Sequence, residues 1–194
     1  MTIDHIFICT VTGAPAAERL IEFGLVEGPP NTHPGQGTAC RRFFFENAML
    51  ELLWLADPDE ALNEQTRRTR LWDRFTSANA SPFGIILRDG ECPFTAWNYR
   101  PTTMPGLDLQ VAAETSIEEP MWCWLPRPYT RRAAEGRLAG VRLIGPELPE
   151  ESVTAAMARA GAIELATGEE HLIELRFDQG RRRDFRPHLP LIVG

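Results

Sequence analysis

Two residues of types that move protons or hold cations stand inside otherwise apolar runs. They are His5 in Ile3-Asp4-His5-Ile6-Phe7-Ile8, and Glu51 in Met49-Leu50-Glu51-Leu52-Leu53-Trp54. A carboxylate in such a run costs several kcal/mol if buried unpaired, so Glu51 faces water, a cation or a protonating environment. On an alternating strand Ile3, His5 and Phe7 share one face, and Asp4, Ile6 and Ile8 share the other. His5 therefore either lines a cavity or is hydrogen-bonded inside a core. Glu174, in Ile-Glu-Leu, has Arg176 two residues on and on the same face, where an exposed cross-strand ion pair competes with any other role.

Further candidates are of the ligand-contacting kind. His33 lies in Thr-His-Pro-Gly-Gln-Gly-Thr, whose glycines permit close approach to a ligand or simply make a turn. Arg41 and Arg42 open a strand, and alternation turns one of them inward, where a guanidinium suits an anionic group. Trp122 and Trp124 are two apart on one strand face. With Met121, Trp97 and Phe94 nearby in sequence, they either wall an apolar pocket or pack a core. The ligand-contacting set is thus His33, Arg41, Trp54, Phe83, Trp122 and Trp124. Arg181-Arg182-Arg183 reads as a solvated run.

The elements that must position these residues are legible at both ends. Ile3–Thr10 is a strand. About Ala14–Phe23 is a helix, with Pro15 in its first turn and Gly24 as its C-cap. Leu25–Glu27 is extended, Pro29–Thr38 is a loop, and Arg41–Glu46 and Met49–Leu55 form a hairpin around Asn47-Ala48. Asp57 to about Ala78 is a polar helical connector and Pro82–Arg88 is a strand. Residues 89–138, rich in Pro and Trp, are the least legible, with a strand at Met121–Leu125 and an Arg-rich turn after it. Val141–Ile144 is a strand and Glu150–Ala160 a helix. Ile163–Ala166 and His171–Phe177 form a hairpin, and the tail is Leu189–Val193. The β-α-β-β order thus occurs at both ends.

Composition bounds what this arrangement does. The 194 residues are 43% hydrophobic, which excludes disorder as the overall state and suffices for a core without disulfide or metal. The net charge of −7 argues against nucleic acid as a partner. Every one of the 20 basic residues is Arg, which rules out Schiff-base chemistry and a lysine-dependent phosphate loop. The four Cys form no C-x-x-C pair, and Cys9 and Cys123 sit in apolar runs as buried free thiols do. With no run long enough for a membrane span and no leader pattern, a cytoplasmic location away from the membrane is expected.

The "DHI" strand with His5, the Gly24-Leu25 step, the "HPGQGT" loop and the "MLELLWL" strand resemble the glyoxalase-like branch of the vicinal oxygen chelate superfamily. "PMWCWLPR", "AGVRLIGPEL" and "HLIELRFD" are similar to its later part. The resemblance implies an α+β fold of paired βαβββ modules forming curved mixed sheets around a central cavity. The first module would span residues 1–56, a helical connector 57–81, and a second module with insertions and a C-terminal tail 82–194. It implies a small-molecule ligand bearing a carbonyl or carboxylate, and lyase, isomerase or dioxygenase chemistry with Glu51 and His5 as the catalytic pair. The alternative is a metal-free binding protein of the same fold. Carried over residue by residue, the metal ligands would be His5, Glu51 and Glu174. Phe83, or Val141, stands where a fourth ligand is expected, so a divalent metal is an open alternative. No nucleotide cofactor is expected, and a homodimer is compatible with the family.

Overall fold

The structure is a computed structural model that describes residues 1–101, 103–126, 136–178 and 180–194. It is α+β, with two mixed sheets of eight and five strands that do not close into a barrel. The Arg-rich turn expected after Leu125 lies outside the described residues.

The first sheet begins with β1 (Thr2–Cys9), α1 (Ala17–Phe23), β2 (Asn31–His33), β3 (Thr38–Phe44) and β4 (Met49–Leu55). Helix α1 ends at Gly24, whose φ of 109° only glycine adopts cheaply and whose N–H caps Ile21 O. The expected loop at Pro29–Thr38 is in part a strand: β2 pairs antiparallel with β3 along the sheet edge. The expected connector helix is broken into α2 (Pro58–Leu62), a 3₁₀ turn at Arg67–Thr69 and α3 (Leu71–Thr76). Asp57 caps α2, accepting from the N–H groups of Asp59 and Glu60. Asn63 in extended geometry and Arg70 at φ 59° interrupt the run, which has too few apolar anchors to hold one long helix.

Four more strands complete this sheet: β5 (Phe83–Arg88), β6 (Ala96–Tyr99), β7 (Leu109–Ala112) and β8 (Met121–Trp124). The order is β2-β3-β4-β1-β5-β8-β7-β6. β1 runs parallel to β4 and antiparallel to β5, while β5 runs parallel to β8. The halves β2-β3-β4-β1 and β5-β8-β7-β6 therefore repeat one pairing pattern about the β1–β5 seam.

The C-terminal stretch builds its own sheet from β9 (Leu138–Gly145), α4 (Val153–Arg159), β10 (Glu164–Thr167), β11 (Leu172–Phe177), β12 (Arg183–Asp184) and β13 (Leu191–Val193), in the order β10-β9-β11-β13-β12. The hairpin expected between Ile163–Ala166 and His171–Phe177 is absent from it. The crossover through α4 lays β10 parallel to β9, and β11 pairs antiparallel on the other side of β9.

Strand alternation sorts the first sheet into two faces. Ile6, Ile8, Leu50, Leu52, Ile85 and Trp122 pack in the core that also holds Leu20, Met157 of α4, and Val141 and Ile173 of the second sheet. Phe7, Cys40, Leu53, Ile86, Tyr99 and Met121 lie in a separate cluster. That second face carries the site.

Candidate functional site

A cavity of about 480 Å³ occupies this second face, lined from β2 at one edge of the sheet to Tyr99 of β6 at the other. Strands so far apart in one sheet meet around one cavity only if the sheet curls. The polar lining comes from the first half, with His5, Asn31, His33, Arg42 and Glu51. The wall from the second half is apolar, with Ile86, Tyr99, Leu109 and Met121, and Met104 to Leu107 complete the rim.

Alternation puts Met49, Glu51 and Leu53 of β4 on the cavity side. Glu51 is 7% exposed, in register with Phe7 on one side and Arg42 on the other. No ion pair among the described residues joins it to a cation. His5 reaches the cavity through an irregularity. The β1–β5 register slips between Ile3 and His5, so Ile3 joins the core of Ile6 and Ile8 while Asp4 and His5 both line the cavity. The expected grouping of Ile3 with His5 and Phe7 is corrected by that bulge. Nδ1 of His5 lies 2.8 Å from Asp4 Oδ1, and Arg88 Nε lies 3.4 Å from Asp4 Oδ2.

His33 is held at both ring nitrogens. Asn31 Nδ2 donates to Nε2 at 3.0 Å, and Nδ1 meets Thr38 Oγ1 at 2.9 Å, with Gln36 Nε2 donating to the same oxygen at 2.8 Å. An amide NH₂ only donates, so Nε2 carries the lone pair and Nδ1 the proton. Burial holds this imidazole below its ordinary value, with Glu51 opposing the shift. The glycines after it serve the turn. Gly35 and Gly37 have φ of 77° and 73°, and Gly35 O accepts from Asn63 Nδ2 and Thr66 Oγ1 of the connector.

Cys40, fully buried on β3, lies beneath the polar end. Burial first, and then the charge of Glu51, push its thiol up, so it stays protonated. One ring nitrogen of His33, Cys40 Sγ and a Glu51 oxygen lie within 4.8 Å of one another. Cys40 is not among the candidates that the sequence indicates. Its diagonal position between β2 and β4 was the available signal, once His33 is read as part of a strand.

The other candidates lie elsewhere. Arg42 rather than Arg41 lines the cavity, with its Nε donating to Pro29 O at 2.8 Å. Arg41 points to the opposite face, bonded to Glu27 at 2.6 and 2.7 Å and to Glu18 at 2.8 Å. Trp54 packs against the inter-sheet core, and Phe83, Trp122 and Trp124 are buried in it. The two tryptophans share a face as expected. β8, however, pairs in register with β5 (Ile85↔Trp122, Leu87↔Trp124), so that face is the one toward the second sheet. Trp122 Nε1 donates to Thr154 Oγ1 at 2.9 Å.

Glu174 is in β11 of the second sheet, opposite Arg142 and Ile192 and 3.4 Å from Arg182. It does not line the cavity. The set His5, Glu51 and Glu174 therefore does not fit one ion.

No family model and no curated protein matches the chain. Among solved structures, it is similar to the crystal structure of a hypothetical protein from Staphylococcus aureus. The TM-score is 0.57 at 10% identity, over all of this chain and 98% of that one. At that identity the likeness establishes a shared fold alone.

Proposed function

We propose that the chain is a glyoxalase-like protein acting on a small molecule that carries a carbonyl or carboxylate and an apolar remainder. The polar group lies among Glu51, His33, His5 and Arg42, and the remainder lies against Tyr99, Leu109 and Met121. One observation carries this reading: a buried carboxylate, Glu51, beside a cavity and without an ion-pair partner among the described residues. Such a group is costly to keep unless something that enters the cavity uses it.

In this reading Glu51 is the base. It takes the proton from the carbon next to the carbonyl, and the charge moves onto the carbonyl oxygen, where the Arg42 guanidinium offers donors, while His5, with Nδ1 on Asp4, borders the same end of the cavity. His33, neutral and fixed by Asn31 and Thr38, bounds the polar end and does not itself carry the charge. Lyase and isomerase reactions use activation of this kind and are the types this step supports.

The second reading is a metal-free binding protein of the same fold. It is favoured by the apolar second half of the wall and by the failure of Glu174 to join His5 and Glu51. One experiment separates the two. Wild type and Glu51→Gln are screened by thermal shift against short aliphatic and aromatic carboxylates and 2-oxo acids, and the stabilising compounds are incubated with protein and followed by NMR. Turnover lost in Glu51→Gln supports the enzyme; stabilisation without chemical change supports the binder. No stabilisation by any compound in either protein contradicts both.

A further inference from the structure

From the three strands β2, β3 and β4 we infer a transition-metal site made by His33, Cys40 and Glu51, with zinc the best chemical match. This goes beyond the small-molecule reading, and the set differs from the one that the family resemblance implies.

The three donors are placed by the ladder itself. Asn31 pairs with Cys40, and His33 with Thr38, so His33 is diagonal to Cys40 on one side. Cys40 pairs with Leu53, so Glu51 is diagonal to it on the other. All three side chains take the same face, and their ligand atoms lie within 4.8 Å of one another. Four-coordinate zinc, with bonds of roughly 2.0–2.3 Å, sets its ligands about 3.3–3.8 Å apart. The donors thus need to close by at most about 1–1.5 Å, within reach of side-chain rotation.

The chemistry of the set selects the ion. A thiolate with an imidazole suits zinc and its neighbours, whereas magnesium and calcium take oxygen ligands. On binding, the Cys40 proton leaves to solvent, and thiolate and carboxylate together balance a dication. His33 has its outer partner in place: Thr38 Oγ1, itself held by Gln36, orients the ring through Nδ1. The ion competes with the amide of Asn31 for Nε2.

Cys40 is fully buried below, while His33 and Glu51 line the cavity. A fourth position would face the cavity, as in catalytic zinc sites with three protein ligands. An oxygen of a bound carbonyl compound would reach it there.

The test uses the full chain freed of metal by chelator and dialysis. It is titrated with Zn²⁺ against a chromophoric chelator and, separately, with Co²⁺ followed in the ultraviolet and visible. One Zn²⁺ per chain is expected, and Co²⁺ should give a thiolate-to-cobalt charge-transfer band. Cys40→Ser should abolish the band. Cys40→Ser and His33→Ala should each weaken Zn²⁺ by more than the roughly 10–100-fold that loss of an outer partner costs. Cys92→Ser and Glu174→Gln should change nothing. Three results overturn the site: Co²⁺ bound by wild type without a thiolate band, Zn²⁺ binding weaker than about 0.1 mM, or affinity that survives Cys40→Ser but is lost in His5→Ala. The wild-type cobalt spectrum decides even if a variant misfolds. Ligand screening on metal-free protein tests the small-molecule reading separately.

Discussion

Arg42 stands directly across the β3–β4 ladder from Glu51, yet the two do not form an ion pair. The guanidinium is tied to Pro29 O at 2.8 Å and stacks on Phe44 at 5.4 Å from the ring centroid. Opposite charges in register on one face usually meet. Here the cation is held at the rim and the carboxylate stays beneath the polar end of the cavity. A ligand entering the cavity encounters both charges unspent on each other.

The adjacent arginines should therefore separate binding from stability. Arg41→Ala removes half-exposed pairs with Glu27 and Glu18 on the far face, and should cost about 0.2–1 kcal/mol in urea unfolding with ligand response unchanged. Arg42→Ala should leave stability within about 0.5 kcal/mol. It should weaken binding of a carboxylate probe by about 1.5–3 kcal/mol, measured by calorimetry. The reverse pattern would mean that the strand faces are misassigned.

The tryptophans provide a second separation. Trp122 is fully buried between the sheets, with its indole N–H on Thr154. Trp122→Ala should cost about 3–5 kcal/mol, and Trp122→Phe less, chiefly the lost hydrogen bond at about 0.5–1.5 kcal/mol. Trp122→Phe should leave ligand-induced shifts in thermal unfolding as in wild type.

How much of this was legible in the sequence follows from periodicity. His5 and Glu51 announce themselves because polar residues break an apolar run, and the sequence bounds β4 at the residues the structure shows. Periodicity gives a shared face but not which face. Trp122 and Trp124 share a side, yet only the pairing of β8 with β5 tells that it meets the second sheet. The same ambiguity put Arg41 in place of Arg42. β6 and β7, at four residues each among Pro and Gly, are too short to show alternation. Adjacency in sequence predicts a β10–β11 hairpin, whereas β9 lies between the two strands.

Gly84 makes room for the cavity wall. It faces Phe7 across β1–β5, and a Cβ there would overlap the Phe7 ring. Gly84→Ala should displace the ring, costing about 1–3 kcal/mol, and reduce binding of the bulkier aromatic carboxylates more than of short aliphatic ones. Equal loss for all probes in parallel thermal-shift titrations would contradict that geometry.

Burial lowers the pKa of His171, which sits edge-on to Phe83 near the carbonyl of Asn79. The unfolded chain therefore protonates first as pH falls. The neutral ring contributes its stability fully above about pH 6.5; the contribution declines below that and levels off under the folded value. His171→Gln should remove this decline, so the difference between the wild-type and variant unfolding curves should slope between about pH 7 and 5. A flat difference would show that the ring titrates freely in the fold.

The most direct test of the account is Glu51→Gln, which keeps shape and removes charge. Thermal unfolding is measured for wild type and variant, each alone and with the carboxylate or 2-oxo acid that stabilises wild type most. The account predicts a variant that stays folded without ligand, because the shape is kept and no ion pair among the described residues is lost, and a ligand response altered by about 1–3 kcal/mol. Stability and ligand response both within about 0.5 kcal/mol of wild type would remove Glu51 from the site and contradict the account.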